Sequence, residues 1–189
     1  ILSFFAYAAK SSTSKTKIGP LMNDSGQLVD ENKEMSKLLS ENYKRVFSIP
    51  KVLLQNLETA SEFSLTNISI DISKITKAID DIGSNSASGP DNIPAILLKQ
   101  CKQVLSWPIQ MLWQKSLDNS DISQTMKHAV IFPLAKGGCL TSPSNYRPIS
   151  LTSHVVKIFE RVMKGRIVNF LEKNKWFNSK QHGFRSKRS

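Results

Sequence analysis

Residues 129–167 read AVIFPLAKGGCLTSPSNYRPISLTSHVVKIFERVMKGRI and contain two different hydrophobic periods. A short β-prone run lies at 130–132, and a second one lies at 146–151. Between them, residues 136–145 form a polar loop that contains a Gly-Gly pair and a proline. Two strands joined by such a loop predict a β-hairpin with a flexible tip.

A long helix is predicted to follow the hairpin from Ser153 onward. Lys157, Arg161 and Lys164 fall within about 60° of one another on a wheel of 3.6 residues per turn. Arg166 points into the apolar half of the wheel and must snorkel or find a partner. The helix therefore presents one cationic face and one core face. The core face carries Val155, Ile158, Phe159, Val162, Met163, Ile167 and Phe170.

Three further helical stretches precede the hairpin. Asp30 can cap a helix over residues 31–47. Isoleucines spaced three, four and three residues apart predict a helix over residues 72–82. Residues 95–118 are predicted to form two helical pieces that are broken at Pro108. The predicted fold class is therefore α+β and mainly α-helical, with one small β-hairpin.

The excess of positive charge is local. The chain has 189 residues, 26 basic and 15 acidic side chains and a net charge of +11. Residues 151–189 hold ten basic and two acidic side chains, and residues 122–159 contain no carboxylate. A concentration of this kind is typical of a protein that binds a phosphate backbone. The alternative is a lysine-rich, solvated surface.

Other features of the sequence exclude several classes of protein. Cys101 and Cys139 are too few for a disulfide scaffold and lack zinc spacing, which favours a reducing, intracellular location in nucleus or cytoplasm. The apolar stretch at residues 1–9 is about half a membrane span and a poor signal peptide, so no membrane partner is predicted. Residues 10–20 form a Ser/Lys connector, so residues 1–20 should pack poorly on the rest. The chain is interpreted as a fragment of a longer reading frame.

The order and spacing of four motifs resemble the N-terminal half of a reverse transcriptase from a non-LTR retrotransposon of the jockey type. These motifs are SGPDNIPAILLKQC (88–101), AVIFPLAKGG (129–138), NYRPISLTSHVVKIFERVMKGRI (145–167) and QHGFRSKRS (181–189). The resemblance implies that residues 68–189 form the fingers and the beginning of the palm, as an incomplete domain. Residues 1–67 would be a partly helical connector upstream of the polymerase. Such polyproteins place an endonuclease before this connector, which makes an endonuclease domain an expected neighbour.

The sequence departs from this family at two positions, and it lacks the two family motifs that carry the catalytic aspartates. Met126 stands where a tryptophan is usual, which concerns packing, and Asn92 replaces a glycine in the GPDG turn, although asparagine tolerates positive φ. The family's catalytic aspartates would fall after Ser189. The resemblance therefore implies no catalytic residue in this chain, which should be inactive alone. The Mg²⁺ of the complete enzyme would have its ligands outside it.

Lys136 and Arg147 are the candidate nucleotide-binding residues. Lys136 follows the first predicted strand and adjoins a glycine pair, where backbone can approach a ligand closely. Arg147 lies on the return strand. An ammonium and a planar guanidinium on one hairpin suit the triphosphate of an incoming dNTP. The resemblance implies the same role, and the alternative is that both are solvated surface charges.

Gln181 and Arg185 match the template-side motif of the family, next to His182 and Phe184. Glutamine and arginine can bind sugar and phosphate, and an aromatic ring can stack on a base. With Lys157, Arg161 and Lys164 of the last helix they are the predicted nucleic-acid-binding residues. His128, His154 and His182 stand without ligand partners at metal spacing.

Two acidic features are interpreted as structural. Asp91 follows a Gly-Pro pair and precedes a helix, so it is predicted to be a helix cap. The carboxylates of residues 71–81 lie on the solvated face of a helix and are poor metal ligands.

The resulting functional prediction is a fragment of an RNA-directed DNA polymerase of a transposable element. It would bind an RNA template, a DNA primer and the incoming dNTP. The alternatives are a non-catalytic nucleic-acid-binding module and a decayed element without function.

Overall fold

The computed structural model describes residues 18–47, 65–66, 68–178, 180–183 and 185. Within them the chain has five α-helices and two two-stranded antiparallel sheets, which confirms the predicted α+β class, although one β-hairpin was predicted and two are present. The elements in chain order are β1 (Leu21–Met22), β2 (Leu28–Val29), α1 (Asn32–Val46), α2 (Ile72–Asp80), α3 (Ala95–Gln100), α4 (Lys102–Asp118), a 3₁₀ helix (Gln124–Lys127), β3 (Ala129–Ala135), a 3₁₀ turn (Pro143–Asn145), β4 (Tyr146–Thr152) and α5 (His154–Lys173).

The chain divides into two compact units. The described part of the first unit consists of residues 18–47 and the hairpin residues 131–149. One face of α1, with Met35, Leu39 and Tyr43 spaced four residues apart, packs with other apolar side chains into a small core. The core of this unit consists of Leu21, Met35, Leu39, Tyr43 and Tyr146.

The second unit takes its described residues from 65–130 and from residue 150 onward. Its core lies between α2, α4 and α5, where apolar stripes from each helix meet. Trp113 of α4 stacks on Phe159 of α5 with ring centroids 4.3 Å apart. The fully buried members of this core include Ile75, Ile79, Trp113 and Ile158.

The division into units differs from the predicted division into domains. The predicted boundary between residues 67 and 68 stays a prediction. The first unit, however, includes both the predicted connector helix and the middle of the hairpin. The predicted poor packing of residues 1–20 concerns a segment of which residues 1–17 lie outside the described part of the chain.

The predicted helix break at Pro108 is wrong. The helical stretch is interrupted at Cys101, and Pro108 lies inside α4. A proline inside a helix removes one hydrogen bond and costs about 3 kcal/mol. Ser106, Ile109 and Trp113 are buried along one face of α4, and the burial of their apolar surface offsets part of that cost.

The structure also contains a second small sheet that the sequence did not indicate. The side chain of Asn23 accepts hydrogen bonds from the backbone N–H groups of Ser25 and Gln27. This turn brings Leu21 opposite Val29 and Met22 opposite Leu28. Asparagine and glycine are typical turn residues, but strands of two residues are too short to show a period.

Candidate nucleotide and nucleic-acid interface

The hairpin of β3 and β4 has two different faces, because side chains alternate along a strand. Tyr146 is 4% exposed and belongs to the core of the first unit, so its neighbour Arg147 points to the opposite face. Ile131, Pro133 and Pro148 line a cavity of about 670 Å³ together with residues of α1. One face of the hairpin therefore packs on α1 at Tyr146, whereas Ile131 and Pro148 on the same face stay exposed.

The other face of the hairpin is open. By the same alternation it carries Phe132, Leu134, Arg147 and Ile149, and all four side chains are exposed. The backbone N–H of Lys136 donates to the carbonyl of Asn145 at 2.7 Å, which extends the antiparallel pairing beyond β3. Lys136 thus shares this face with Arg147. We call it the open hairpin face.

Lys136 is partly engaged within the hairpin. Its Nζ donates to the backbone carbonyl of Ser144 at 2.8 Å. An ammonium has three donors, so this bond fixes the side chain and leaves donors for a ligand. The side chain is exposed.

The side chain of Arg147 is exposed and makes no hydrogen bond or ion pair with any described residue. Its five N–H donors and its charge are therefore open to solvent. Since residues 122–159 contain no carboxylate, no acidic side chain within the hairpin neutralises it. This geometry suits a multiply charged anion bound against an apolar and cationic surface.

The tip of the hairpin is tied by hydrogen bonds, in contrast to the predicted flexible loop. Asn145 donates through Nδ2 to the carbonyl of Cys139 at 2.8 Å, and the hydroxyl of Tyr146 donates to the carbonyl of Leu140 at 2.8 Å. Sequence reasoning missed these two residues. The sequence offered two signals of an ordered turn here, a Gly-Gly pair early in the loop and an asparagine directly before an aromatic residue at its end.

The three basic side chains of the cationic face of α5 differ in their exposure and in their hydrogen bonds. Ser153 caps the helix by accepting from the backbone N–H of Val155 at 3.1 Å. Lys157 is half-buried, and Lys164 is exposed. Arg161 donates through Nη1 to the carbonyl of Ala78 at 2.9 Å, near the C-terminal end of α2. A cation there also interacts favourably with the helix dipole.

Arg166 finds the partner that its position on the wheel required. Its Nη2 donates to the backbone carbonyl of Ser69 at 2.9 Å. This bond holds the segment that leads into α2 against α5. The prediction that Arg166 must snorkel or find a partner is confirmed.

Arg185 binds back onto α5. It makes a bidentate ion pair with Glu172, with Nε to Oε1 at 2.9 Å and Nη2 to Oε2 at 2.8 Å. The hydrogen bond that Arg185 donates to Glu172 raises the pKa of Arg185 above its usual range. Its guanidinium also lies 5.0 Å from the ring centroid of Phe177. The guanidinium that was predicted to bind nucleic acid is engaged within the protein.

The rest of the predicted template-side motif is less constrained. Gln181 and His182 are exposed, and the backbone N–H of Gln181 donates to the carbonyl of Asn178 at 3.0 Å. Phe184 lies outside the described residues. The nucleic-acid-binding role of Gln181 stays a prediction.

The GPD loop packs against the junction of β4 and α5. A Cβ on Gly89 would clash with the backbone nitrogen of Ser153, so only glycine fits there. Asp91 accepts from the hydroxyl of Ser153 at 2.5 Å and from the backbone N–H of Ile93 at 3.2 Å. The predicted helix cap is therefore wrong in detail. Asp91 joins the loop to Ser153, and Asn92 has a positive φ of 54°, which asparagine tolerates.

His154, at the first position of α5, is fully buried, with 0% of the residue exposed. Burial lowers its pKa below the usual value, and the nearby positive charge of Lys157 lowers it further. The imidazole is therefore neutral at physiological pH. Neither ring nitrogen has a geometric hydrogen-bond partner among the described residues.

Within the described residues, no three His, Cys, Asp or Glu side chains form a group that could hold a metal ion. The carboxylates of Asp71, Asp80 and Asp81 are exposed on α2, as predicted. Asp80 forms an ion pair with Lys102 at 2.7 Å. Asp80 therefore has a structural contact at the surface of the second unit.

Comparison with known proteins gives one informative similarity. No family model matches the chain. Over 133 residues the chain is 29% identical to a Drosophila melanogaster protein named "Probable RNA-directed DNA polymerase from transposon BS". The similar stretch covers 70% of this chain and 15% of the length of that relative. This similarity supports the predicted class of transposon polymerase.

No helix among the described residues has the length and apolar character needed to cross a membrane.

Proposed function

We propose that this chain is the fingers and the start of the palm of an RNA-directed DNA polymerase from a jockey-like retrotransposon. The open hairpin face would bind the triphosphate of the incoming dNTP. The cationic face of α5 and the residues after it would bind the RNA template and the DNA primer. The similarity to a transposon polymerase supports the class, and the geometry of the hairpin supports the assignment of the nucleotide site.

The observation that carries the nucleotide site is the uncompensated charge of the open hairpin face. Arg147 offers a planar fork of donors with no described partner, and Lys136 offers a point charge held by Ser144. A fork and a point charge can bind different oxygens of the β and γ phosphates. The exposed apolar side chains of Phe132 and Leu134 can cover the sugar or base.

In the complete enzyme this chain would contribute binding. Mg²⁺ bound to carboxylates outside this chain would supply activation of the primer hydroxyl and stabilisation of the pyrophosphate. Lys136 and Arg147 would neutralise the triphosphate and hold it in line with the primer terminus. An endonuclease domain would precede the connector in the same polyprotein, and the protein would act in the nucleus or cytoplasm.

The test is steady-state primer extension on an RNA template by a polymerase that contains this chain. We expect Lys136→Ala and Arg147→Ala each to lower kcat/KM for the dNTP. The loss of transition-state stabilisation should be about 1–3 kcal/mol, the range for hydrogen bonds to charged groups. Arg147→Lys should also be damaging, because a point charge cannot replace the fork. Lys127→Ala, which changes an exposed lysine outside the hairpin, should leave the nucleotide kinetics unchanged.

Unchanged dNTP kinetics in both alanine variants would return Lys136 and Arg147 to ordinary surface charges. If the chain then still binds RNA with a strong salt dependence, the alternative of a non-catalytic nucleic-acid-binding module is favoured. A decayed element would show neither activity.

A further inference from the structure

The helix α1 and the hairpin tip belong to one packed unit. Met35, Leu39 and Tyr43 of α1 form a buried core with Tyr146, which directly precedes Arg147. The sequence assigned α1 to a connector outside the polymerase domain. Its side chains instead contribute to the covered face of the strand whose other face carries Arg147.

Two hydrogen bonds connect this N-terminal segment to the loop at the tip. The backbone N–H of Met22 donates to the carbonyl of Thr141 at 2.7 Å. Asn42 of α1 is half-buried and donates through Nδ2 to the carbonyl of Pro143 at 3.2 Å. The same carbonyl accepts the backbone N–H of Tyr146 and thereby closes the 3₁₀ turn.

That turn sets the position of Lys136. Its middle residue, Ser144, supplies the carbonyl that accepts from the Nζ of Lys136 at 2.8 Å. Its last residue, Asn145, supplies the carbonyl that accepts from the backbone N–H of Lys136 at 2.7 Å. The carbonyl that accepts from Asn42 belongs to Pro143, and the next carbonyl along the chain, that of Ser144, orients the ammonium of Lys136.

We propose that Asn42 is a positioning residue of the nucleotide site, acting through the turn at residues 143–145 on the ammonium of Lys136. This inference rests on the proposed function of the hairpin. It extends the nucleotide-binding device to α1, in the segment upstream of all four polymerase-like motifs. The amide holds the turn, the turn holds Lys136, and the nucleoside triphosphate meets a preorganised charge.

The first experiment measures amide hydrogen exchange by NMR in the 189-residue chain. We expect Asn42→Ala and Asn42→Asp to raise the exchange rates of the Asn145 and Tyr146 amides by about tenfold, as expected for loss of one hydrogen bond. Alanine is the better helix former and aspartate keeps the shape of asparagine without its donor, so neither change should unfold α1. The matched control is Asn32→Ala, at the exposed first position of the same helix.

The second experiment titrates the same chain with dGTP and follows the amide signals of the hairpin. Asn42→Ala should weaken dGTP binding by about fivefold to tenfold, in line with one charge-assisted hydrogen bond that is poorly positioned. In a chain that already carries Lys136→Ala, adding Asn42→Ala should change the affinity less than twofold. This coupling separates positioning from a general loss of structure.

Each outcome decides a different point. Unchanged exchange rates in both Asn42 variants overturn the link between α1 and the turn. Faster exchange with unchanged dGTP affinity, or an effect of Asn42→Ala that persists without Lys136, overturns the positioning role. Unchanged affinity in Lys136→Ala itself overturns the nucleotide site, and with it the role of Asn42, whatever the exchange rates show.

Discussion

The basic side chains of the hairpin and those of α5 and the residues after it differ in what they already bind. Lys136 and Arg147 keep most of their donors open on the exposed hairpin face. Arg161, Arg166 and Arg185 each donate to another segment of the second unit. The hairpin thus offers its charge to a ligand, and the arginines of the second unit use theirs to hold segments of the chain together.

This difference shows that net charge overstates the charge available to phosphate. A guanidinium that is already hydrogen-bonded must break those bonds before it binds a ligand, and the loss offsets the gain. Ten basic residues in the C-terminal part of the sequence therefore do not mean ten phosphate contacts. Of the three predicted nucleic-acid-binding residues of α5, Lys164 is exposed and its side chain makes no hydrogen bond or ion pair with a described residue, so it is the strongest candidate of the three for phosphate binding.

The largest expected effect separates two neighbours on β4. Tyr146→Ala should lower the free energy of unfolding by about 3–5 kcal/mol, because it removes a buried aromatic ring. Arg147→Ala should change it by less than about 0.5 kcal/mol, as for an exposed side chain. Urea denaturation of the 189-residue chain measures both. A loss of several kcal/mol in Arg147→Ala would contradict the assignment of this residue to the open face.

A second, smaller contrast lies on α5. Arg161→Ala should lower stability by about 1 kcal/mol, because the carbonyl of Ala78 loses a donor in a partly buried place. Lys164→Ala should leave stability unchanged and reduce the slope of log K against log salt for single-stranded RNA by about 0.7. Denaturation and RNA titrations at several salt concentrations test the pair. If the slope falls in Arg161→Ala alone, the roles of the two residues are exchanged.

The third prediction concerns the buried imidazole of His154. Burial lowers its pKa from the usual value of 6.5, so the unfolded chain binds a proton that the folded chain rejects. Stability should therefore be full above about pH 6.5 and decrease as the pH falls toward the lowered pKa. His154→Gln should remove this part of the pH dependence, measured as the urea midpoint between pH 5 and 8. The control, His128→Gln, changes an exposed ring, and an identical pH profile in wild type and His154→Gln would refute the assignment.

The sequence predicted the elements whose pattern is local. The helix over 31–47 and the second hairpin strand appear within one residue of the expected positions, the final helix begins one residue after Ser153, and the first hairpin strand extends beyond the predicted run to Ala135. Each carries a strong period or a cap, as with Ser153. The positive φ at Asn92 is compatible with the expectation that asparagine tolerates this backbone conformation where the family has a glycine. Lys136 and Arg147 were also found this way, because hairpin strands place them on one element.

The sequence could not show which residues meet across long separations. Asn42 and Pro143 are 101 residues apart, and nothing in the local pattern of α1 indicates their hydrogen bond. The bond between Asp91 and Ser153 and the engaged state of Arg185 are of the same kind. The net charge includes every arginine as if it were free, because a count of charges gives no information on the partner of each side chain.

The smallest expected effect tests whether Arg185 is held back from nucleic acid by Glu172. Because the ion pair and the ring of Phe177 occupy the guanidinium, Arg185→Ala should change the salt slope of RNA binding by less than about 0.3, below the value of about 0.7 for one phosphate on a single strand. Glu172→Gln weakens the bidentate pair and should steepen the slope by up to about 0.7, since the released guanidinium can reach one more phosphate. Glu160→Gln is the matched control, because it removes the same charge from an exposed position of α5 without releasing an arginine. Titrations of a single-stranded RNA at 50–300 mM salt measure all three variants. A slope that falls by a full phosphate in Arg185→Ala would mean that the guanidinium leaves Glu172 to bind RNA, and the contrast between the hairpin and the residues after α5 would then disappear.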